Sequence, residues 1–246
     1  FNYGVSNGLT YVAIIVIIGI NLVIMKAMKV LSSAECYLTV DEEHVALATR
    51  IFSAVFVNIS LLVLIAFGKW DSMPASLSAV TKPFGLLIGP YADFTVEWYS
   101  NLGPVFVLTF LFQALVPILS PLWAFCCTAS YNYLCLNSAI EQQATTRFPM
   151  QYDLTHFVTA GAFDPTTRMG FLLALVFFFM MYAPGLPLLQ FLAMCGFMIY
   201  FDGDKRLLCG HYMKPPRVSE AVLKEVVKLL PFAAFLRLAF ASWMFS

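Results

Sequence analysis

Four polar side chains stand inside long apolar runs and are the first candidates for chemistry in this sequence. Asn21 lies in the run 9–30 and Asn58 in the run 45–67. Gln113 and Ser120 lie in the uncharged stretch between Glu97 and Glu141. An amide or hydroxyl in hydrocarbon needs a partner, so each is expected to hydrogen-bond across helices or to face a wet groove. The interhelical bond is the simpler expectation. Pro117 and Pro121 flank the same stretch. Each removes a backbone donor and frees a carbonyl, which makes either a static kink or a hinge beside a cavity.

The charged clusters ask for less. Asp41-Glu42-Glu43-His44 has the residue types of a divalent-cation site, but consecutive side chains do not converge on one ion and the pattern is no EF-hand. A solvated helix entry is the expected reading. Asp93 and Glu97 share a face if their stretch is helical, as a surface pair or the rim of an outer pore mouth. His44, His156 and His211 are far apart and call for no metal. Lys205, Arg206, Lys214 and Arg217 form a basic cluster suited to anionic lipid headgroups. There is no phosphate-binding glycine loop, no nucleophile elbow and no pair of intramembrane carboxylates. Neither an enzyme nor a cofactor is expected. The six cysteines, Cys36, Cys126, Cys127, Cys135, Cys195 and Cys209, include no CxxC pair and are expected to be buried free thiols.

The elements that must position these residues follow from composition. Charged residues make up 11% of the chain, hydrophobic residues 61%, and mean hydropathy is +0.81. Soluble domains carry about 25% charged residues, so this is an integral membrane chain of all-α class. The net charge of zero gives no support for a nucleic-acid partner. Residues 1–246 form one transmembrane helical domain, and the ends, Phe1 and an apolar run closing at Ser246, are those expected of a piece of a longer polypeptide. Spans are expected at 9–30, 45–67, 102–125, 169–183, 188–201 and 229–245. Pro104, Pro117 and Pro121 interrupt the third, and the last is short and holds Arg237, whose expected orientations are toward protein, toward water or snorkelling to the interface. The sequon at Asn58 lies mid-span, and the GLLIG at Gly85 is flanked by prolines, so neither is read as functional.

The run from Met169 to Phe201 decides the topology. As one straight helix it would reach about 50 Å, beyond a hydrocarbon core of about 30 Å. Pro184, Gly185 and Pro187 break it near the middle, and two prolines around a glycine suit a turn. If the chain reverses there, one side holds Lys26, Lys29, Arg50, Arg147, Arg168 and the six basic residues from Lys205 to Lys228. The other side holds only Lys69 and Lys82. A single crossing would leave five against eight. Lys/Arg excess marks the cytoplasmic side, so a hairpin of two short arms is expected, giving about six membrane segments. The acidic loop 31–44 and the loops 126–168 and 202–228 are then cytoplasmic.

With that topology, four ordered motifs resemble the superfamily of OSCA channels, transmembrane channel-like (TMC) proteins and anoctamins. They are Glu43-His44 with Arg50, Phe56 and Asn58; Glu97-Trp98-Tyr99 with Gly103 and Thr109; Tyr182-Ala183-Pro184-Gly185-Leu186-Pro187; and Asp204-Lys205 with Tyr212 and Lys214-Pro215-Pro216. The resemblance covers most of 30–217 and is nearest the OSCA and TMC branches. It implies the pore-region helices of a cation-permeable, tension-gated channel in a plasma or ciliary membrane, as a homodimer or a subunit of a larger complex among membrane lipids. Asn21, Asn58, Gln113, Pro117, Ser120, Pro121 and Tyr182 would flank or gate the route. The pore-helix candidate and the hairpin hold no acidic residue, so the anoctamin calcium site is not expected, and the acidic residue that OSCA proteins carry late in the pore helix is replaced near Ser120 or Pro121. A phospholipid scramblase of the same superfamily and a non-conducting structural subunit are the alternatives.

Overall fold

The computed structural model describes residues 2–67, 69, 91, 93–131, 163–210 and 220–245. Among these every element is helical: α1 (Asn2–Ala34), α2 (Val40–Phe56), a π-helical turn (Val57–Leu61), α3 (Leu62–Phe67), α4 (Val96–Tyr131), α5 (Pro165–Tyr182), α6 (Pro187–Gly210) and α7 (Ala221–Met244). Among the described residues, four stretches are long and apolar enough to cross a bilayer: Ile15–Ala34, Val40–Ile65, Pro165–Tyr182 and Ala221–Met244. The protein is therefore an all-α, membrane-embedded chain.

Helices outrun the apolar runs at most ends, because helical hydrogen bonding does not stop where hydrocarbon does. The connection expected at 31–44 shrinks to 35–39, since Thr39 caps α2 by accepting from the Glu42 N–H at 3.2 Å. Asp41, Glu42 and Glu43 fill the first turn of α2, where the positive end of the helix dipole favours acids. Pro104, Pro117 and Pro121 do not break α4, which continues through all three. The arms around the proline turn are longer than 169–183 and 188–201: they run 165–182 and 187–210, the second carrying Asp202, Asp204, Lys205 and Arg206. The last helix is not short, spanning 24 residues with Pro231 inside. Asp93 lies outside α4, so it does not share a helical face with Glu97; its carboxylate accepts from the Phe94 N–H instead. The four described cysteines are free, but Cys36, Cys126 and Cys209 are exposed rather than buried. Cys36 lies in the connection 35–39 and Cys209 in the last turn of α6, beyond its four charged residues, so neither sits on a packed helix face.

The chain divides into two compact units: 1–113 with 166–194 and 219–246, and 114–165 with 195–218. The larger holds α1, α2, the π turn, α3, the first half of α4, α5, the first eight residues of α6 and α7. Contacts fix the heights of its helices. Val45 and Ala48 of α2, Gly170 and Leu173 of α5, and Val222 and Glu225 of α7 line one shallow groove, so these three helices start at the same level. Further along, Ser60 meets Met181, Met180 meets Arg237 and Tyr182 meets Phe240, so the three run parallel. The chain enters α4 from the opposite end: Phe94 packs on Trp243 (4.8 Å), Phe106 on Tyr182 (4.2 Å) and Phe110 on Phe178 (6.1 Å). The first helix is antiparallel to α2, with Asn21 beside Asn58 and Glu35 beside Arg50. Lys224 and Lys228 mark one end of this bundle; Trp243, Trp98 and Tyr99 mark the other, as an aromatic interface would.

Two glycines allow close approach. A Cβ on Gly170 would lie 2.6 Å from the Ala48 carbonyl oxygen, so α2 and α5 touch backbone to backbone there. On Gly185 it would lie 2.7 Å from Met244 Sδ and 2.8 Å from Tyr99 Oη. In the turn, the Tyr182 carbonyl accepts from the N–H groups of Gly185 (3.2 Å) and Leu186 (3.1 Å), ending α5 before Pro187 starts α6.

Candidate functional site

The polar residues singled out from sequence fall into three situations. Asn21 and Asn58 meet: Asn58 Nδ2 donates to Asn21 Oδ1 at 2.7 Å. Asn21 is 1% exposed, and its own Nδ2 has no partner among the described residues. This is the interhelical bond, worth about 0.6 kcal/mol on average and at most about 1.7 in helical membrane proteins.

Tyr182 belongs to a second arrangement. It is fully buried, and its hydroxyl donates to the Ser60 carbonyl at 3.0 Å. Ser60 sits in the π turn, and its own hydroxyl donates to Met181 Sδ at 2.9 Å. A π turn widens the backbone ladder and is rare outside single-turn bulges at functional sites. Here the bulge turns the Ser60 carbonyl and hydroxyl toward α5, while Asn58, two residues earlier, faces α1. Aromatic rings from Phe106 and Phe178 close over Tyr182, at 4.2 and 5.2 Å between centroids.

Gln113 is the third. It is 1% exposed, and neither its Oε1 nor its Nε2 has a hydrogen-bond partner among the described residues. It follows Phe110 by one helical turn, about 5 Å nearer the Lys228 end. Nothing brings it to Asn21 or Asn58, so the asparagines and the glutamine are separate features. Pro117, Ser120 and Pro121 are placed only as positions within α4, and their side chains lie outside the described residues.

The basic cluster is half described. Lys205 is exposed, and Arg206 pairs with Asp202 at 2.8 Å one turn away. Lys214 and Arg217 lie outside the described residues, as do Arg147, His156, His211 and the GLLIG stretch. Among the described residues no group of His, Cys, Asp and Glu could hold a metal ion. At the Lys228 end, Arg50 Nη2 donates to Glu35 Oε2 at 2.6 Å, and the Tyr37 hydroxyl donates to the same oxygen at 2.5 Å. These two donors hold the Glu35 carboxyl below its ordinary range, and the same hydrogen bond, with partial burial, raises the Tyr37 phenol.

Sequence reasoning missed Ser60 as a partner and Gly170 as the helix crossing, and it left Arg237 open between facing protein, facing water and snorkelling. A π turn leaves no mark in residue order. The hint was that Asn58 and Ser60, two apart on a helix, cannot share a face and so must meet two different neighbours.

No protein-family model matches the chain, and neither a curated protein nor a solved structure matches it.

Proposed function

We propose that the chain is the pore region of an OSCA/TMC-like ion channel, with its route beside the half of α4 that carries Gln113. The observation that carries this reading is the buried, unpaired amide of Gln113. Leaving a polar group in an apolar setting without a hydrogen bond costs about 2–7 kcal/mol by transfer measurements, so water or a hydrated ion is the natural partner. The helix that bears it is the one the sequence resemblance assigns to the pore.

In the same proposal the chain makes six crossings, and Pro184–Pro187 is a hairpin turn. Two placements support it. The turn lies against Met244 and Tyr99 at the aromatic end, and Ala221 starts α7 beside Gly170 at the lysine end. The helix that leaves the turn is 24 residues long, about 36 Å, enough to return across the bilayer. The lysine end, with Lys26, Lys29, Arg50, Arg168, Lys224 and Lys228, is then cytoplasmic by its positive charge. Cation permeation and gating by tension, in a homodimer or larger complex of the plasma or ciliary membrane, are what the resemblance adds. Lys205, Arg206, Lys214 and Arg217 would meet anionic headgroups.

Reconstitution into liposomes tests this. Suction on excised patches should evoke current, and Gln113→Lys should alter its selectivity. Patches without current, from vesicles that flip fluorescent lipid, would favour the scramblase; neither activity would leave the structural subunit.

A further inference from the structure

The residue that neither the sequence reading nor the proposed route uses is Arg237. The packed face of α7 reads Val222, Val226, Leu229, Ala233, Arg237, Phe240 and Met244, each step three or four residues. All are buried or half-buried, whereas Phe232, Phe235 and Leu238 between them are 64–72% exposed. Arg237 is therefore on the stripe that faces protein, not on the lipid face.

Its depth follows from its neighbours in sequence. Lys228 marks one interface and Trp243 the other, about 22 Å apart along the helix. Arg237 lies about 2 Å from their midpoint, roughly 13 Å from Lys228 and 9 Å from Trp243. Its Cβ points back toward the helix N-terminus, away from the nearer interface.

At that depth the guanidinium meets one sulfur among the described residues: Nη1 reaches Met180 Sδ at 3.9 Å. A thioether is a weak acceptor, and arginine offers five N–H donors and does not lose its proton. Among the described residues of this unit no carboxylate pairs with Arg237; Asp93 and Glu97 stand at the aromatic end, beside Phe94 and Trp98. Residues 1–25, 51–68, 98–113 and 169–194 carry no charge, and Arg237 is the sole charge in 229–246. A half-buried cation at membrane depth with no counter-charge among the described residues is costly, and an inward-facing one marks a site rather than an accident of packing.

We propose that Arg237 is the core of an intramembrane binding site for a small monovalent anion of halide type, seated between α5 and α7 beside Met180. A lipid phosphate resides at the interface, some 10 Å away, and does not reach this level without deforming the bilayer. A free inorganic ion does. The site stands whether or not the chain conducts, because binding is read without any current.

The experiment is thermal unfolding of the full chain in nanodiscs while chloride replaces gluconate at constant ionic strength. Ligand bound only by the folded state raises the midpoint saturably. The expected result is a saturable upward shift in the wild type, a weaker one in Arg237→Lys and none in Arg237→Gln. The wild-type titration decides by itself if a variant fails to fold. An unfolding midpoint indifferent to chloride overturns the site, as does an unchanged chloride response in Arg237→Gln. Repeating the titration in discs of neutral and of anionic lipid separates the sources. A midpoint that follows the anionic lipid and ignores chloride also overturns it.

Discussion

The hydroxyl of Tyr182 donates to the main-chain carbonyl of Ser60 at 3.0 Å, joining the last residue of α5 to the π-helical turn that follows α2. The two residues are 122 positions apart in sequence, and both are fully buried. The bond satisfies a carbonyl in the one stretch where the α-helical ladder is disturbed. It also holds the residue immediately before Ala183-Pro184-Gly185, so the shape of the turn and the shape of the bulge are mechanically connected. Met181 strengthens the link from the neighbouring position, accepting the Ser60 hydroxyl at its sulfur.

Tyr182→Phe removes only the donor. The ring, packed on Phe106 and Phe178, stays. A buried hydrogen bond of this kind contributes about 0.5–1.5 kcal/mol net, so the variant should lose that much stability in reversible unfolding from detergent micelles. Ser60→Ala keeps the carbonyl and removes only the weaker hydroxyl–sulfur contact, and its loss should be smaller. Equal losses in the two variants would mean that the carbonyl bond contributes nothing beyond the packing of the ring.

Gly170 sets the crossing of α5 over α2. A methyl group there would sit 2.6 Å from the Ala48 carbonyl oxygen and 3.2 Å from Ile51 Cβ, and the nearest atom is backbone. Neither neighbour can rotate away, so Gly170→Ala must separate the helices. Overpacking of this kind costs about 1–3 kcal/mol, against a gain of up to about 1 kcal/mol from the better helix former. The net effect is a loss, measurable as a lower unfolding midpoint. Gly19, whose Cβ would meet nothing within 4 Å, is the control: Gly19→Ala should be neutral or stabilising.

Gln113→Leu separates stability from function. The glutamine amide is buried with both polar atoms unpaired, so an isosteric apolar side chain relieves a desolvation cost. The variant should unfold later, by about 1–2 kcal/mol on the scale of unpaired buried groups in proteins. If the amide is instead hydrated by a water-filled route, that gain disappears and the same substitution should reduce stretch-evoked current. A variant with raised stability and unchanged current would remove Gln113 from the pore.

How much of this was legible in the sequence depends on the kind of signal. Apolar length and the near absence of charge announced a helical membrane protein, because hydrocarbon leaves the backbone no other partner than itself. The break at Pro184–Pro187 and the meeting of Asn21 with a polar residue of another helix were also readable, one from backbone chemistry and one from the need of a buried amide. Helix ends were not, since α4 passes through three prolines and α6 continues through four charged residues beyond the apolar run. The π turn and the Gly170 contact were hidden, and the aim of Arg237 was left open, for one reason. Each is a relation between helices, and a pattern read along one helix records only that a face exists, not what meets it.

The contact between α1 and α2 at the lysine end gives a pH dependence whose sign is fixed. Glu35 accepts from Arg50 Nη2 and from the Tyr37 hydroxyl on the same oxygen, and Arg50 also lies 5.9 Å over the Tyr37 ring. The Arg50 bond, with help from Tyr37, lowers the Glu35 carboxyl below its ordinary value of 4.5 in the folded chain. A depressed carboxyl stabilises the fold when ionised, so its contribution is complete above the unfolded value and disappears as pH falls through the folded one. Tyr37 moves the other way: its phenol is raised above 10.0, chiefly by the bond to Glu35. Its contribution is complete below that value and disappears as pH rises through the folded one. The contact should therefore be strongest between about pH 5 and 9. Glu35→Gln should flatten the acid limb of the unfolding midpoint below 4.5 and leave the lysine-end helices otherwise intact. Both side chains are partly exposed, so added salt should shrink the difference between wild type and variant, as it does for surface ion pairs. An acid limb identical in the two proteins would show that the pairing at the α1–α2 corner carries none of the pH dependence.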